Sequence, residues 1–405
     1  MSSRELPNSL RYTLAAAALK RGLRRRRRVV VIVHAPETFS AIEPVVAEMQ
    51  SRPDEFELVF IAIPRCYTSA AGGPYSGMET THAFLAQKGL SPIAMSGASL
   101  DDLERLIRLT PDFIFRQAPW DNDIPGVFST AMLSFAQLCY VPYGLGTLDK
   151  PFHQYNQPFH NACDFIFCES DYHYREFKAH RAMSVQGVQV TGYPRFEQLL
   201  AEIGQGDAAW PLPAGDDVPR VIWAPHHTVD ASWLGFSTFV THKDRMLAEA
   251  RRGRISILLR PHPALRERLT FTNTMSGNEY DAYVRAFADA GCSGVDTERE
   301  YIPSFAASDC LITDGLSFFS DYMLTAKPIV RTRRADSSGM NSFTEWLCEA
   351  CDTVDSGEQL QAVLDSLGER RYDDRLLDKR LERQAELVRL AVGASKRIVD
   401  ILAGA

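Results

Sequence analysis

The sequence predicts an α/β protein of two Rossmann-like domains facing a cleft. Three observations carry that expectation. The chain has 405 residues, too many for one ordinary core and comfortable for two. Short apolar runs alternate with helical segments, which argues for mostly parallel sheets with helices on both faces. One stretch, Gly204–Arg220, breaks that alternation. It is rich in Gly, Pro and Asp, has no periodicity, and reads as a linker.

In chain order, residues 1–28 form a basic N-terminal segment and 29–205 a first domain. "RVVVIVHAP" (Arg28–Pro36) reads as a buried strand running into a loop, and "FSAIEPVVAEMQ" as the helix after it. "FELVFIAIP", "DFIFRQ", "QLCYVPYG" and "DFIFCES" supply later strands. "VQVTGYPRFEQLL" closes this half with a strand, a turn and a helix. The second domain, 206–372, repeats the plan with "RVIWAPHH", "ISILLRPHP", "DCLITDG" and "KPIVRT". The remainder, 373–405, reads as one long charged amphipathic helix.

A hydrophobic fraction of 45%, a charged fraction of 23% and a net charge of −7 describe a soluble globular chain with no nucleic-acid signal. Positive charge is concentrated in "LKRGLRRRRR", Leu19–Arg28, behind the helix formers of "SLRYTLAAAALK". This pattern suits either a helix lying on the anionic lipid of an inner leaflet or a solvated entry to the first strand. No apolar run reaches transmembrane length. The basic run follows the apolar patch, the reverse of a signal peptide. The eight cysteines are scattered, and only Cys348 and Cys351 have CxxC spacing. Free thiols in a cytosolic protein are the expectation.

Polar residues collect where strands end, the place where ligands of such sheets bind. They are His34 and Glu37, Tyr143 and Gly144, Tyr193 to Arg195, His226 and His227, Arg260 and His262, and Asp314 to Ser317. In "LLRPHP" two prolines push Arg260 and His262 toward extended backbone, where His262 can donate to a phosphate or protonate a leaving group. In "WAPHHT" the paired histidines and Thr228 can face a phosphate. Neighbours on an extended chain point apart and no carboxylate completes a ligand set, so no metal and no cofactor is expected. "TDGLSFFSDY" turns from a strand into a helix near Ser317, whose first N–H groups make an anion site. Gly315 admits close approach of a ligand. Asp314 orients a histidine or a turn amide, and Asp321 does the same or bonds to sugar hydroxyls.

"TGYPRFEQL", "WAPHHT", "LLRPHP" and "SDCLITDGLSFFSDYMLTAKPIV", in this order, resemble the bacterial CDP-glycerol glycerophosphotransferases of teichoic-acid and capsule synthesis. The likeness covers about Asp164 to Arg331 and implies a GT-B fold. It places the donor in the second domain and the acceptor on the first. It makes His262 the donor-side histidine and sets Asp314, Ser317, Asp321 and Gly192–Arg195 on family positions. His226, His227, Arg260, Gly315 and Arg195 then belong with the donor, and Glu37, Tyr143 and Gly144 with the acceptor. Two departures stand out. "WAPHHT" lacks the family's arginine, and "YVPYGLGTLDK" lacks its Trp-His-Gly block, which leaves His34, or Glu37 just beyond it, as the candidate general base, with Tyr143 a poorer one. The implied partners are CDP-glycerol and a glycan or lipid-linked acceptor. The implied place is the cytoplasm, at the inner face of the plasma membrane, with residues 19–28 on anionic lipid. A nucleotide-sugar glycosyltransferase, a CDP-ribitol transferase and a non-catalytic scaffold remain as alternatives.

Overall fold

The structure, a computed structural model, describes residues 8–21, 26–66, 74–204, 208–215, 217–231, 233–297 and 301–405, without the side chains of Asn8, Arg21 and Ser317. The chain forms two compact units. The first comprises Met1–Gly146, Lys150–Glu197 and Leu390–Ala405, and the second Thr147–Asp149 and Gln198–Arg389.

The first unit is built on a seven-stranded parallel sheet. Its strands are β1 (Arg27–Val33), β2 (Phe56–Ala62), β3 (Pro92–Ala94), β4 (Phe113–Arg116), β5 (Gln137–Tyr140), β6 (Phe165–Cys168) and β7 (Val188–Val190). They lie in the order β3-β2-β1-β4-β5-β6-β7. The β-branched run Val29–Val33 is buried on both faces, as a central parallel strand requires. Val31 and Val33 pack with Phe39, Val45 and Phe60 on one face, and Val30 and Ile32 pack with Ile61, Ile114 and Phe128 on the other. The helix expected after β1 is two pieces, Pro36–Phe39 and Glu43–Gln50, because Pro44 restarts it.

The second unit has six parallel strands: β8 (Arg220–Ala224), β9 (Ser256–Leu259), β10 (Gly294–Val295), β11 (Cys310–Thr313), β12 (Ile329–Thr332) and β13 (Asp352–Val354). Their order is β10-β9-β8-β11-β12-β13. β9 pairs on one side of β8 and β11 on the other. The order reverses at β8/β11, and the crevice beyond the carboxyl ends of those two strands is the ligand position of such sheets.

Three sequence expectations need correction. The helix Asn8–Arg21 does not present its apolar side to lipid. Leu10 and Ala17 are buried with Leu103 and Ile107 of the helix Leu100–Arg108. Only Tyr12 and Leu19 stand out as exposed large apolar side chains there. Residues 22–25, which include Arg24 and Arg25 of the arginine run, lie outside the described residues. The Gly204–Arg220 stretch is not where the units divide. That change falls at Glu197/Gln198, inside the helix Pro194–Ile203. The supposed linker is anchored to the second sheet through Trp210, whose indole N–H donates to Ser256 Oγ at 2.8 Å. The C-terminal helix is two helices, Leu377–Ala391 and Ala394–Gly404, broken at Gly393 with φ 69°. The second of them rejoins the first unit, burying Ile398, Val399 and Leu402 against the β1 core.

Gly192 is the hinge of that return. Its φ is +91°, and a Cβ there would sit 2.1 Å from Leu390 O. Tyr193 N–H donates to Leu390 O at 2.8 Å, and Arg397 Nε to Thr191 O at 2.8 Å. Gly192→Ala therefore meets both backbone strain and a backbone clash. It is expected to destabilise the protein by about 2–4 kcal/mol, read as a lowered midpoint in denaturant unfolding. An unchanged midpoint would show that the return of the C-terminal helix does not depend on this close approach.

Candidate active site

The second unit gathers most of the predicted residues at the β8/β11 switch point. The chain leaves β8 at Pro225, so His226 and His227 occupy a loop and no longer alternate across a strand. Their ring centroids lie 4.3 Å apart, where neighbours on extended backbone were expected to diverge. The centroid of the His262 ring, from the loop after β9, lies 4.0 Å from that of His227, tilted by 34°, and 5.5 Å from that of His226, edge-on. His262 N–H donates to Pro225 O at 3.1 Å, which ties the two loops together. Among the described residues no group of three His, Cys, Asp or Glu side chains is arranged to hold a metal ion.

All three imidazoles are held neutral. Burial pushes His262 down to about 4. It pushes His227 to about 3, helped by His262 and Arg268. It pushes His226 well below its ordinary value, helped by its two histidine neighbours. The tautomers follow from the hydrogen bonds. Ala264 N–H donates to His262 Nδ1 at 3.1 Å, and Thr228 N–H to His226 Nδ1 at 3.3 Å. An accepting Nδ1 leaves the proton on Nε2, so each ring offers one neutral donor. His227 Nδ1 is buried and has no hydrogen-bond partner among the described residues.

Asp314, at the end of β11, fixes this loop system. Its carboxylate accepts from His226 N–H at 2.5 Å, from Thr238 N–H, and from Thr238 Oγ1 at 2.7 Å. Thr238 Oγ1 also meets Thr332 Oγ1 of β12 at 2.7 Å. Asp314 is thus an orienting group and not a phosphate ligand, as the sign of its charge requires. Gly315 caps the helix Leu316–Met323 with extended backbone, φ −86°. A Cβ there would make ordinary contacts with Thr313 Oγ1 and the His226 ring. The fold therefore does not demand glycine; its bareness simply leaves the helix start open beside His226. Ser317 lies in the first turn, and its side chain falls outside the described residues.

Two further predicted residues are engaged in support. Arg260 is buried, and its guanidinium pairs with Asp296 and stacks 5.2 Å from Tyr301 and 5.6 Å from Phe318. Asp321 accepts from Tyr301 Oη at 2.7 Å. Asp296 and Tyr301 went unnoticed in the sequence because each lies in a loop without a motif. Arg195 belongs to the first unit, where it donates to Ser40 Oγ.

The predicted acceptor-side residues cluster at the carboxyl edge of the first sheet. His34, one residue past β1, is only 2% exposed. Burial pushes it down to about 3, with Arg65 and Arg116 adding to the effect. An imidazole this hard to protonate is a weak general base. Arg65 lies 3.5 Å from the exposed Glu37 and 3.6 Å from the buried Asp123. Tyr143 packs edge-on against Trp120 and is pushed up to about 12 by burial, which removes it as a base. Gly144 has open space around its Cα. Arg65, Arg116 and Asp123 could have been suspected only as charges at strand ends.

A family model described as CDP-Glycerol:Poly(glycerophosphate) glycerophosphotransferase matches residues 145–333. Over those residues the chain is similar to the glycerophosphotransferase family. The match contains the whole His226–His227–His262–Asp314 cluster and stops short of His34, Glu37, Tyr143 and Gly144. No curated protein matches the chain. Among solved structures it is similar to the UDP-GlcNAc 2-epimerase of Neisseria meningitidis bound to UDP-GlcNAc. Identity is 13% and TM-score 0.60, over 94% of this chain and 100% of that one. It is similar to the UDP-GlcNAc 2-epimerase of Methanocaldococcus jannaschii, at 11% identity and TM-score 0.57, over 93% and 100% of the two chains. It is also similar to the wall teichoic acid polymerase TagF in a form soaked with CDPG, at 14% identity and TM-score 0.57, over 97% and 93%. These likenesses establish a GT-B fold with two Rossmann-like sheets.

The buried histidines make stability depend on pH. His34 and His160 are both held near 3 by burial, against 6.5 for a free imidazole. Below about pH 6.5 the unfolded chain binds protons that the fold refuses, so stability falls as pH falls, down to about pH 3. Asp314, raised to about 6 by burial, opposes this weakly, since the fold takes its proton first between about pH 6 and 3.8. Each of the two histidines is expected to cost about 2 kcal/mol at pH 5. The melting temperature should drop clearly between pH 7 and pH 5, and a flat profile would contradict the buried neutral state.

Proposed function

We propose that this chain transfers glycerol phosphate from CDP-glycerol to a hydroxyl of a membrane-linked glycan or polymer, in teichoic-acid or capsule synthesis. The observation that carries the reading is the family match over 145–333, which contains the three clustered imidazoles at the switch point of the second sheet. In the reaction the acceptor oxygen attacks the β-phosphorus of CDP-glycerol. The bond from that phosphorus to the bridging oxygen breaks, CMP leaves, and the acceptor proton passes to a base. Catalysis of this kind is positioning plus stabilisation of charge on the phosphate oxygens.

The neutral Nε2–H of His262 suits it as a hydrogen-bond donor to the diphosphate. The open start of the helix Leu316–Met323 adds backbone N–H groups carrying the positive end of the helix dipole. Buried His34 is a poor base. Glu37 is the better-placed acceptor-side carboxylate, since it is exposed and lies beside Arg65. A membrane-linked acceptor would draw the chain to the inner leaflet. The basic residues from Lys20 to Arg26, and not the apolar side of the first helix, are the part suited to holding it there.

Incubation with CDP-glycerol and a lipid-linked polymer should release CMP. His262→Ala should lower that rate about 100-fold or more with an unchanged melting temperature. Release of UDP from a UDP-sugar, with none of CMP, would replace this reading with glycosyl transfer. Replacing Lys20, Arg21, Arg24, Arg25 and Arg26 together by Gln should weaken sedimentation with phosphatidylglycerol vesicles, while turnover on a soluble acceptor stays unchanged. Equal sedimentation would remove the lipid role of this segment.

A further inference from the structure

Arg268 lies on the helix Leu265–Phe271, whose N-cap is Ala264, two residues after His262. His262 starts that helix twice over. Its carbonyl accepts from Leu265 N–H at 2.8 Å and its Nδ1 from Ala264 N–H at 3.1 Å. Arg268 N–H donates to Ala264 O at 3.0 Å, so Arg268 stands one helical turn along from the His262 loop. Leu265 and Leu269 point into the core, which leaves half-buried Arg268 on the flank of the helix.

Three observations then meet. The Arg268 guanidinium makes no hydrogen bond or ion pair with the described residues; it lies over the Phe271 ring, 5.3 Å from its centroid. His227, its ring centroid 4.0 Å from that of His262, has a buried and unpartnered Nδ1. Arg268 is close enough to His227 to oppose protonation of its ring. The other two arginines near this loop system are differently placed. Arg260 is consumed by Asp296, and Arg266 pairs with Asp281 at 2.8 Å. An uncommitted guanidinium beside a neutral imidazole is a pairing suited to one dianionic group.

We propose that Arg268 and His227 together bind one phosphate of the donor's diphosphate, Arg268 supplying from the following helix the positive charge that the loop "WAPHHT" lacks. This rests on the reading of the switch point as a nucleoside-diphosphate site. It adds a specific ligand pair to it. The guanidinium offers its fork to two phosphate oxygens, and the His227 ring contributes a directional hydrogen bond. Neither group takes part in proton transfer, so their loss should appear in donor affinity and KM before kcat.

The test is calorimetric titration of the full chain with CDP-glycerol, CDP and cytidine. Arg268→Ala should weaken CDP and CDP-glycerol at least 10-fold and leave cytidine unchanged. Arg268→Lys should recover part of the loss, because charge returns without the fork. Arg266→Ala should bind as the parent does. His227→Gln should weaken the same ligands, and the double variant should lose less than the product of the two single losses, as expected of groups sharing one phosphate. Parental affinity for CDP in a folded Arg268→Ala chain overturns the proposal, and so does multiplicative loss in the double variant. Should the parent ignore every cytidine ligand, the donor reading fails by itself. Inorganic pyrophosphate then decides the pair: binding that needs Arg268 upholds it, and absent or Arg268-independent binding overturns it.

Discussion

The second unit's site depends on one buried carboxylate. Among the described residues Asp314 forms no ion pair; its charge is met by two backbone N–H groups and a hydroxyl. Those donors come from the loop after β8 and from the entry to the helix Phe239–Arg252, and the hydroxyl continues to Thr332 on β12. One side chain thereby joins segments that are far apart in sequence. Burial raises it to about 6, so near neutrality it stays ionised only because those donors are in place. A carboxamide of the same shape would present an N–H to another N–H. The strand-end loops are thus specified by hydrogen-bond polarity more than by packing.

Arg268 apart, the same part of the molecule holds little free charge. The imidazoles are neutral, Arg260 is neutralised by Asp296, and Asp314 faces amides. An arriving diphosphate would meet oriented N–H dipoles in a poorly hydrated place, where such dipoles act strongly and need not reorganise. The edge of the first sheet is different. There Arg65 sits between Glu37 and Asp123, and buried Arg116 binds Asp121 at 2.8 Å while its guanidinium lies over the Phe159 ring. Fixed charge of both signs suits a group that must lose a proton rather than one that already carries charge.

The central strands were legible because Val29–Val33, Val221–Ala224 and Cys310–Thr313 are apolar runs that a parallel sheet buries on both faces. The edge strands β3, β10 and β13 were not. Pro92–Ala94 and Gly294–Val295 are too short and too mixed to carry a period. The cluster at the switch point of the second sheet was legible because its motifs fell at strand ends. The close approach of the His226 and His227 rings was not, since it depends on the strand ending at Ala224 and the chain turning at Pro225. The supporting pairs Arg260–Asp296 and Tyr301–Asp321 were hidden for another reason. Their partners are 36 and 20 residues apart, and no local pattern records such a contact. Gly192 carried a signal that was read differently: it was matched to a family motif, and in the fold its left-handed backbone lets the Leu390 carbonyl in.

The return of Ala394–Gly404 to the first sheet has a consequence for biosynthesis. Ile398, Val399 and Leu402 fill a core otherwise made by residues 29–167. On the ribosome those earlier residues emerge first and must wait for the last helix while the whole second unit is made. Until then an apolar face of the first unit stays open to misassociation, a hazard of chains whose domains close out of order. The second unit needs nothing from the tail beyond Arg389. The half of the polypeptide translated later can therefore reach its native state before the half translated earlier.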